Sequence, residues 1–163
     1  MRRFLFLMTT HLAMLAIGFV GGVYTLPILT APPAPDSAIL KEIADKAVFK
    51  GRLVRNLRGS DLLHWGEGVI EVSRNRIAHV GRLSPGPDYK IYLAPRFVDT
   101  KEAFLLAKKE SIRIGDVKTF NGLIVQVPEG VDVYDYTTVV IWCETFDQFI
   151  SAAEYQTSRQ TQK

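Results

Sequence analysis

Cysteine is nearly absent: Cys143 is the only one in 163 residues, so no disulfide forms within the chain. Histidine is scarce too, at three residues, and none stands in the H-E-x-x-H spacing that puts two imidazoles on one helical face for zinc. No metal site is expected. No glycine loop of the Walker type is present. The nearest stretch, GEGVIE beginning at Gly66, has neither the spacing nor the strand-to-helix setting that would aim backbone amides at a phosphate. No G-x-S-x-G elbow presents a serine, so a hydrolase reading has no motif. A surplus of one charge is missing as well. The formal charge is +3, but setting aside Arg2 and Arg3 leaves 18 basic residues against 17 acidic ones. That balance argues against a nucleic-acid partner.

Residues 4–29 lack Asp, Glu, Lys and Arg altogether, and about 20 apolar residues suffice to cross a bilayer core as a helix. A cleaved signal peptide is the alternative. The run exceeds the roughly 7–15 residues of a signal h-region, and prolines surround any cut site, so residues 1–29 are expected to form an uncleaved anchor. Arg2 and Arg3 lack the flanks of a twin-arginine signal and are read as topological. Basic residues stay on the cytoplasmic side, which puts the remainder outside, in a periplasmic or extracellular setting. His11, Gly21 and Gly22 are read as tolerated positions in a single-pass span. Residues 30–36, with Pro32, Pro33 and Pro35, form an extended spacer that lifts the rest from the membrane. Asp36 or Ser37 then caps an amphipathic helix over 37–50, where Ile39, Leu40, Ile43, Ala44, Ala47 and Val48 recur on one face that packs on the following domain.

From residue 51 to 155 the pattern is of short strand-like runs between turn residues, with no long helical period before the C-terminus. Residues 73–75 turn a hairpin between two runs, and SPGPD at 84–88 is a turn cluster. Asn121-Gly122 is a further hairpin signal. TTVVIWCETF, 137–146, reads as the last strand, covered on both faces. Residues 147–156 suggest a short closing helix, and 156–163 a loose tail. About seven strands at this spacing predict a mainly β, single sandwich-like domain, with a barrel as the alternative.

Cys143 has three readings. As a core residue it shares a strand face with Val139, Ile141 and Thr145. As a reactive thiol it needs a lowered pKa and access for a partner. As a metal or haem ligand it would bind as thiolate, with His64 or His79 as co-ligand. Outside the cytosol an unpaired thiol implies either burial or use. Trp65 and Trp142 are read as core packing, and Asp88 as bonding its own turn.

Gly86, Pro87 and Asp88 leading to Tyr92 and Leu93, then Tyr136, Val139, Val140, Ile141, Trp142, Cys143, Phe146 and Ala153, resemble the signature of the DM-thirteen, or electron-transfer DM, domain. FKGRLVR resembles its opening strand, and His64 with Gly66 or Gly68 its early His-and-Gly segment. The likeness covers residues 49–155. It implies an extracytoplasmic, β-rich domain, found alone in bacterial membrane-anchored or lipid-anchored proteins and joined in animals to DOMON and b-type cytochrome domains. It also implies a redox role for the single cysteine, here Cys143, with Trp142 shaping its surroundings and His64 as a helper. The expected function is electron transfer or thiol redox exchange with an extracytoplasmic redox partner. The alternative is a non-catalytic interaction module in which the cysteine is structural. No cofactor is assigned.

Overall fold

The computed structural model describes residues 1–157 of the chain. Helix α1, Arg2–Thr30, is long and apolar enough to cross a membrane by length and composition, and none of its apolar window is buried in the protein. Helix α2, Ser37–Asp45, starts where the Asp36 carboxylate accepts the Ala38 N–H at 2.7 Å. It buries Ile43 and packs on the domain, as its apolar stripe predicts. It ends at Asp45 and not at the expected residue 50, because Phe49 and Lys50 pair with Val72 and Glu71 as the start of the first strand. Eight strands follow: β1 Phe49–Leu53, β2 Gly66–Val72, β3 Arg76–Leu83, β4 Tyr89–Ala94, β5 Ile112–Val117, β6 Leu123–Gln126, β7 Thr138–Cys143 and β8 Gln148–Glu154. A short helix α3, Lys101–Ala107, lies between β4 and β5.

The strands form two antiparallel sheets in the orders β1-β2-β3-β6 and β5-β4-β7-β8, an arrangement consistent with a sandwich. Leu53, Ile70, Val72 and Ile77 of one sheet meet Ile91, Leu93, Val139 and Ile141 of the other in a single core. Burying each such side chain contributes about 1.5–3 kcal/mol. All six residues of β7 are buried, and strand alternation sends them to two places. Val139, Ile141 and Cys143 enter the core between the sheets. Val140 and Trp142 point to the outer face, where they cluster with Tyr92, Phe149, Ala152 and Phe104 of α3. The most apolar strand is therefore central and covered on both sides.

Three further expectations are corrected. Residues 147–156 are mostly strand, not helix: β8 pairs with β7 from Thr138↔Glu154 to Cys143↔Gln148. Its alanines leave room for β1, since a Cβ on Gly51 would lie 2.7 Å from the Glu154 carbonyl oxygen and 3.3 Å from the Ala153 methyl. Asn121-Gly122 does not close a β5–β6 hairpin. Gly122 does take the left-handed turn conformation (φ +90), but β5 pairs with β4 while β6 crosses to pair with β3. Helix α3 lies in a stretch expected to hold none. Thr100 caps it by accepting the Ala103 N–H at 3.2 Å, and it buries Phe104 and Ala107. The hairpin at 73–75 forms as expected, with Ser73 N–H donating to the Arg76 carbonyl at 2.8 Å.

Residues 31–36 are extended but lie along the domain instead of standing it off. Pro32 and Ala34 face Leu83, Pro85 and Phe120, and Pro35 runs past Gly122. The last turns of α1, at Val23, Leu26, Pro27 and Thr30, face Gly86, Pro87, Phe120 and Phe146. The expected tail falls outside the described residues from 158 onward.

Candidate functional site

Cys143 ends β7 at the edge of the sandwich from which the 144–147 turn leads into β8. Its side chain is 2% exposed, and its register partners are Tyr89 on β4 and Gln148 on β8. Two turns close over it. The 84–88 turn contributes Pro85, Gly86 and Pro87, and the 144–147 turn contributes Phe146. Asp88 ties the turns together: its carboxylate accepts the Thr145 hydroxyl at 3.0 Å, and its carbonyl accepts the Glu144 N–H at 3.1 Å. Lys90, 2.6 Å from that carboxylate, is the first cause holding Asp88 below the usual carboxylate range. Asp147 takes the left-handed conformation (φ 46) that reverses the chain into β8. Asp88 thus does more than stabilise its own turn.

Burial pushes the Cys143 thiol up from its ordinary value, while backbone N–H groups of Phe146, Asp88 and Thr145 pull the other way. Desolvation outweighs them and leaves the thiol above its ordinary value. The lowered pKa that a reactive thiol calls for is therefore not found in this resting geometry. These same backbone N–H groups are the ones that would favour a developing thiolate once a base removes the proton.

A cleft of about 240 Å³ leads to the site, lined by Cys143, His64, Tyr89 and Gln148 together with the two turns and by Val23 and Tyr24 of α1. His64 and Cys143, distant in sequence, share this cleft. The His64 ring is oriented through Nδ1, which lies 2.8 Å from Asp61 Oδ2. Asp61 also accepts the N–H groups of Leu63 and His64 at 2.7 and 2.8 Å. Burial raises the Asp61 pKa, but the His64 contact and these amides outweigh it and leave the carboxyl below its usual range. With Nδ1 engaged, Nε2 is the ring nitrogen left for chemistry. Tyr89 is buried beneath the 84–88 turn, its hydroxyl donating to the Pro85 carbonyl at 3.2 Å, and desolvation raises its pKa.

Trp142 stands on the opposite face of β7, away from the cleft. It is fully buried, 4.9 Å from Phe104 between ring centroids, with Lys108 Nζ 5.1 Å from its ring. Lys108 pairs with Glu144 at 2.8 Å, and the Tyr92 hydroxyl donates to the same carboxylate. Burial pushes Glu144 up, yet Lys108 and Tyr92 more than offset it. Trp142 therefore packs on the face of β7 opposite Cys143, beside this anchored turn. Trp65 is half-buried under the Arg55 guanidinium, 3.6 Å from its ring.

His79 lies apart from the cleft, in the core of the first sheet and fully buried. Its Nε2 lies 3.0 Å from the Glu67 carbonyl and its Nδ1 has no partner among the described residues. Gly68 (φ +128) and Gly81 make room for the ring: a Cβ on either would come within 3 Å of Nε2. Among the described residues no three His, Cys, Asp or Glu side chains are grouped to hold a metal ion. Sequence reasoning missed Tyr89 and Gln148 as neighbours of the thiol and Asp61 as the partner that orients His64. Of these only Asp61 left a signal, as an acid three residues before His64.

Nothing among curated proteins or solved structures matches the chain. Residues 57–155 match the family described as electron transfer DM13. That span holds both turns, the cleft's histidine and the central strand with its thiol, and it exceeds half of the chain, which belongs to the electron transfer DM13 family.

Proposed function

We propose that this chain is a redox protein held at an extracytoplasmic membrane surface by α1, and that its working group is Cys143. The observation that carries the reading is that the only thiol lines a cleft that also holds an Asp-oriented histidine. Arg2 and Arg3 before the span orient the domain outward, and there the raised pKa keeps the resting thiol protonated and protected from oxidants.

The chemistry that fits is thiol–disulfide exchange. His64 Nε2 takes the proton from Sγ, and the imidazolium formed is stabilised by Asp61. The thiolate attacks one sulfur of a partner disulfide. The Cys143–partner S–S bond forms as the partner's S–S bond breaks, and the other sulfur leaves as a thiolate that takes a proton. Cys143 is thereby oxidised and one partner sulfur reduced. Since the chain has no second cysteine, the resolving thiol comes from the partner.

A second reading, an interaction module with a structural cysteine, is favoured by the 2% exposure of Cys143. Incubating the native full-length protein with oxidised glutathione and measuring intact mass separates the two. The redox reading expects one glutathione on Cys143, formed more slowly in His64→Gln at neutral pH. Modification only after denaturant would leave the interaction module in the lead.

A further inference from the structure

Among the described residues, none covers the apolar side chains at the Cys143 end of the domain, which face solvent. Leu62 is 93% exposed, Leu63 54% and Phe146 53%. They come from two separate turns that meet at the mouth of the cleft, beside Phe19, Val20, Val23 and Tyr24 of α1. Helix length fixes the height at which this happens. At about 1.5 Å per residue, α1 is about 43 Å long, whereas the hydrocarbon core is about 30 Å thick and takes about 20 residues. Arg2 and Arg3 hold the first end at the opposite surface. The hydrocarbon therefore runs from about Phe4 to Val23, and about the last two turns stand clear of it. Tyr24 falls at the boundary, the depth that tyrosine favours.

The domain leans on α1 at this boundary, not above it. We infer that the loop end of the domain rests in the interfacial layer of the bilayer that α1 crosses, with Leu62, Leu63 and Phe146 inserted among the lipids. This rests on the reading of α1 as an anchor. Charges at the same end are compatible with a zwitterionic surface. Glu144 is paired with Lys108 and Asp88 with Lys90, while exposed Lys118 and Asp147 are of opposite sign. Residues 31–36 fold back along the domain, so nothing lifts it away. The cleft then opens at the lipid surface, where it is reached by co-reactants held in the same membrane.

The test uses the full chain reconstituted in phosphatidylcholine vesicles, with or without bromine on the upper acyl chains, which quenches nearby tryptophan. Leu62→Trp and Phe146→Trp report the loop end, Leu12→Trp the middle of α1, and Glu129→Trp the exposed 128–131 turn at the opposite end of the domain. The signal of Trp65 and Trp142 in the unsubstituted chain is subtracted. For side chains sunk about 5–10 Å into the boundary region, emission at 62 and 146 falls roughly twofold, as at 12, and stays unchanged at 129. Quenching at 12 with none at 62 or 146 beyond that at 129 overturns the docking and leaves the anchor standing. No quenching at 12 overturns the anchor and the docking with it.

Discussion

Replacing Gly86 by alanine tests how Cys143 is reached. The new Cβ would lie 2.5 Å from the Tyr89 hydroxyl oxygen and closer still to the ring carbons beside it. The ring is held in place: Tyr89 is 2% exposed, edge-on against Phe120 at 6.0 Å and hydrogen-bonded to the Pro85 carbonyl. Overpacking of this kind costs about 1–3 kcal/mol. The strain falls on the 84–88 turn, which roofs the cleft. If that turn is the gate, its opening relieves the strain, and the open population rises roughly 5- to 150-fold, at tenfold per about 1.4 kcal/mol. The assay is the rate of Cys143 alkylation in the folded protein, followed by intact mass, beside a denaturant melt of the same variant. Faster labelling well above what the globally unfolded fraction supplies is the expected result. Labelling that rises only in step with global unfolding would refute the gate.

Phe104→Ala should lower stability by about 3–5 kcal/mol, as for other buried aromatics, since Phe104 contacts both Trp142 and Tyr92. It should leave the pH dependence of Cys143 alkylation unchanged, because it lies on the other face of β7. His79, whose pKa burial lowers, stays neutral in the fold, so stability is lost as pH falls from about 6.5 toward the folded value. That part of the slope should vanish from denaturant melts of His79→Leu. Cys143, Tyr89 and Tyr155 are all raised by desolvation. Their contribution is complete below their ordinary values of about 8.5 and 10 and is lost as pH rises toward the folded ones. In Cys143→Ala the earlier onset should disappear from melts between pH 8 and 11.

Much of the fold was legible where local chemistry and tertiary pairing agree. The 73–75 and 84–88 turns, the apolar stripe of α2 and the double-sided burial of β7 each follow from residues close in sequence. Misreadings arose where the two conflict. The alanines of FISAAE favour helix by propensity, but pairing with β7 and the close passage of β1 make them a strand. Helix α3 spans only seven residues, with two inward side chains, too few for a period to show. Asn121-Gly122 specifies a reversal without specifying which sheet the next strand joins. At the site, the Trp-Cys pair and His64 were visible, and the fold places His64 in the cleft that Cys143 also lines. The direction of the Cys143 pKa was not, because it depends on how completely two turns 57 residues apart in sequence close over one sulfur.

The central claim is that Cys143 is a usable thiol within the folded domain. The most direct measurement is its alkylation rate against pH in the native full-length protein, set beside the rate in denaturant. The account predicts native labelling faster than global unfolding allows, with an apparent pKa above the ordinary value of about 8.5, falling toward it in denaturant. Labelling that appears only with unfolding, at every pH, would contradict it and make Cys143 a core residue.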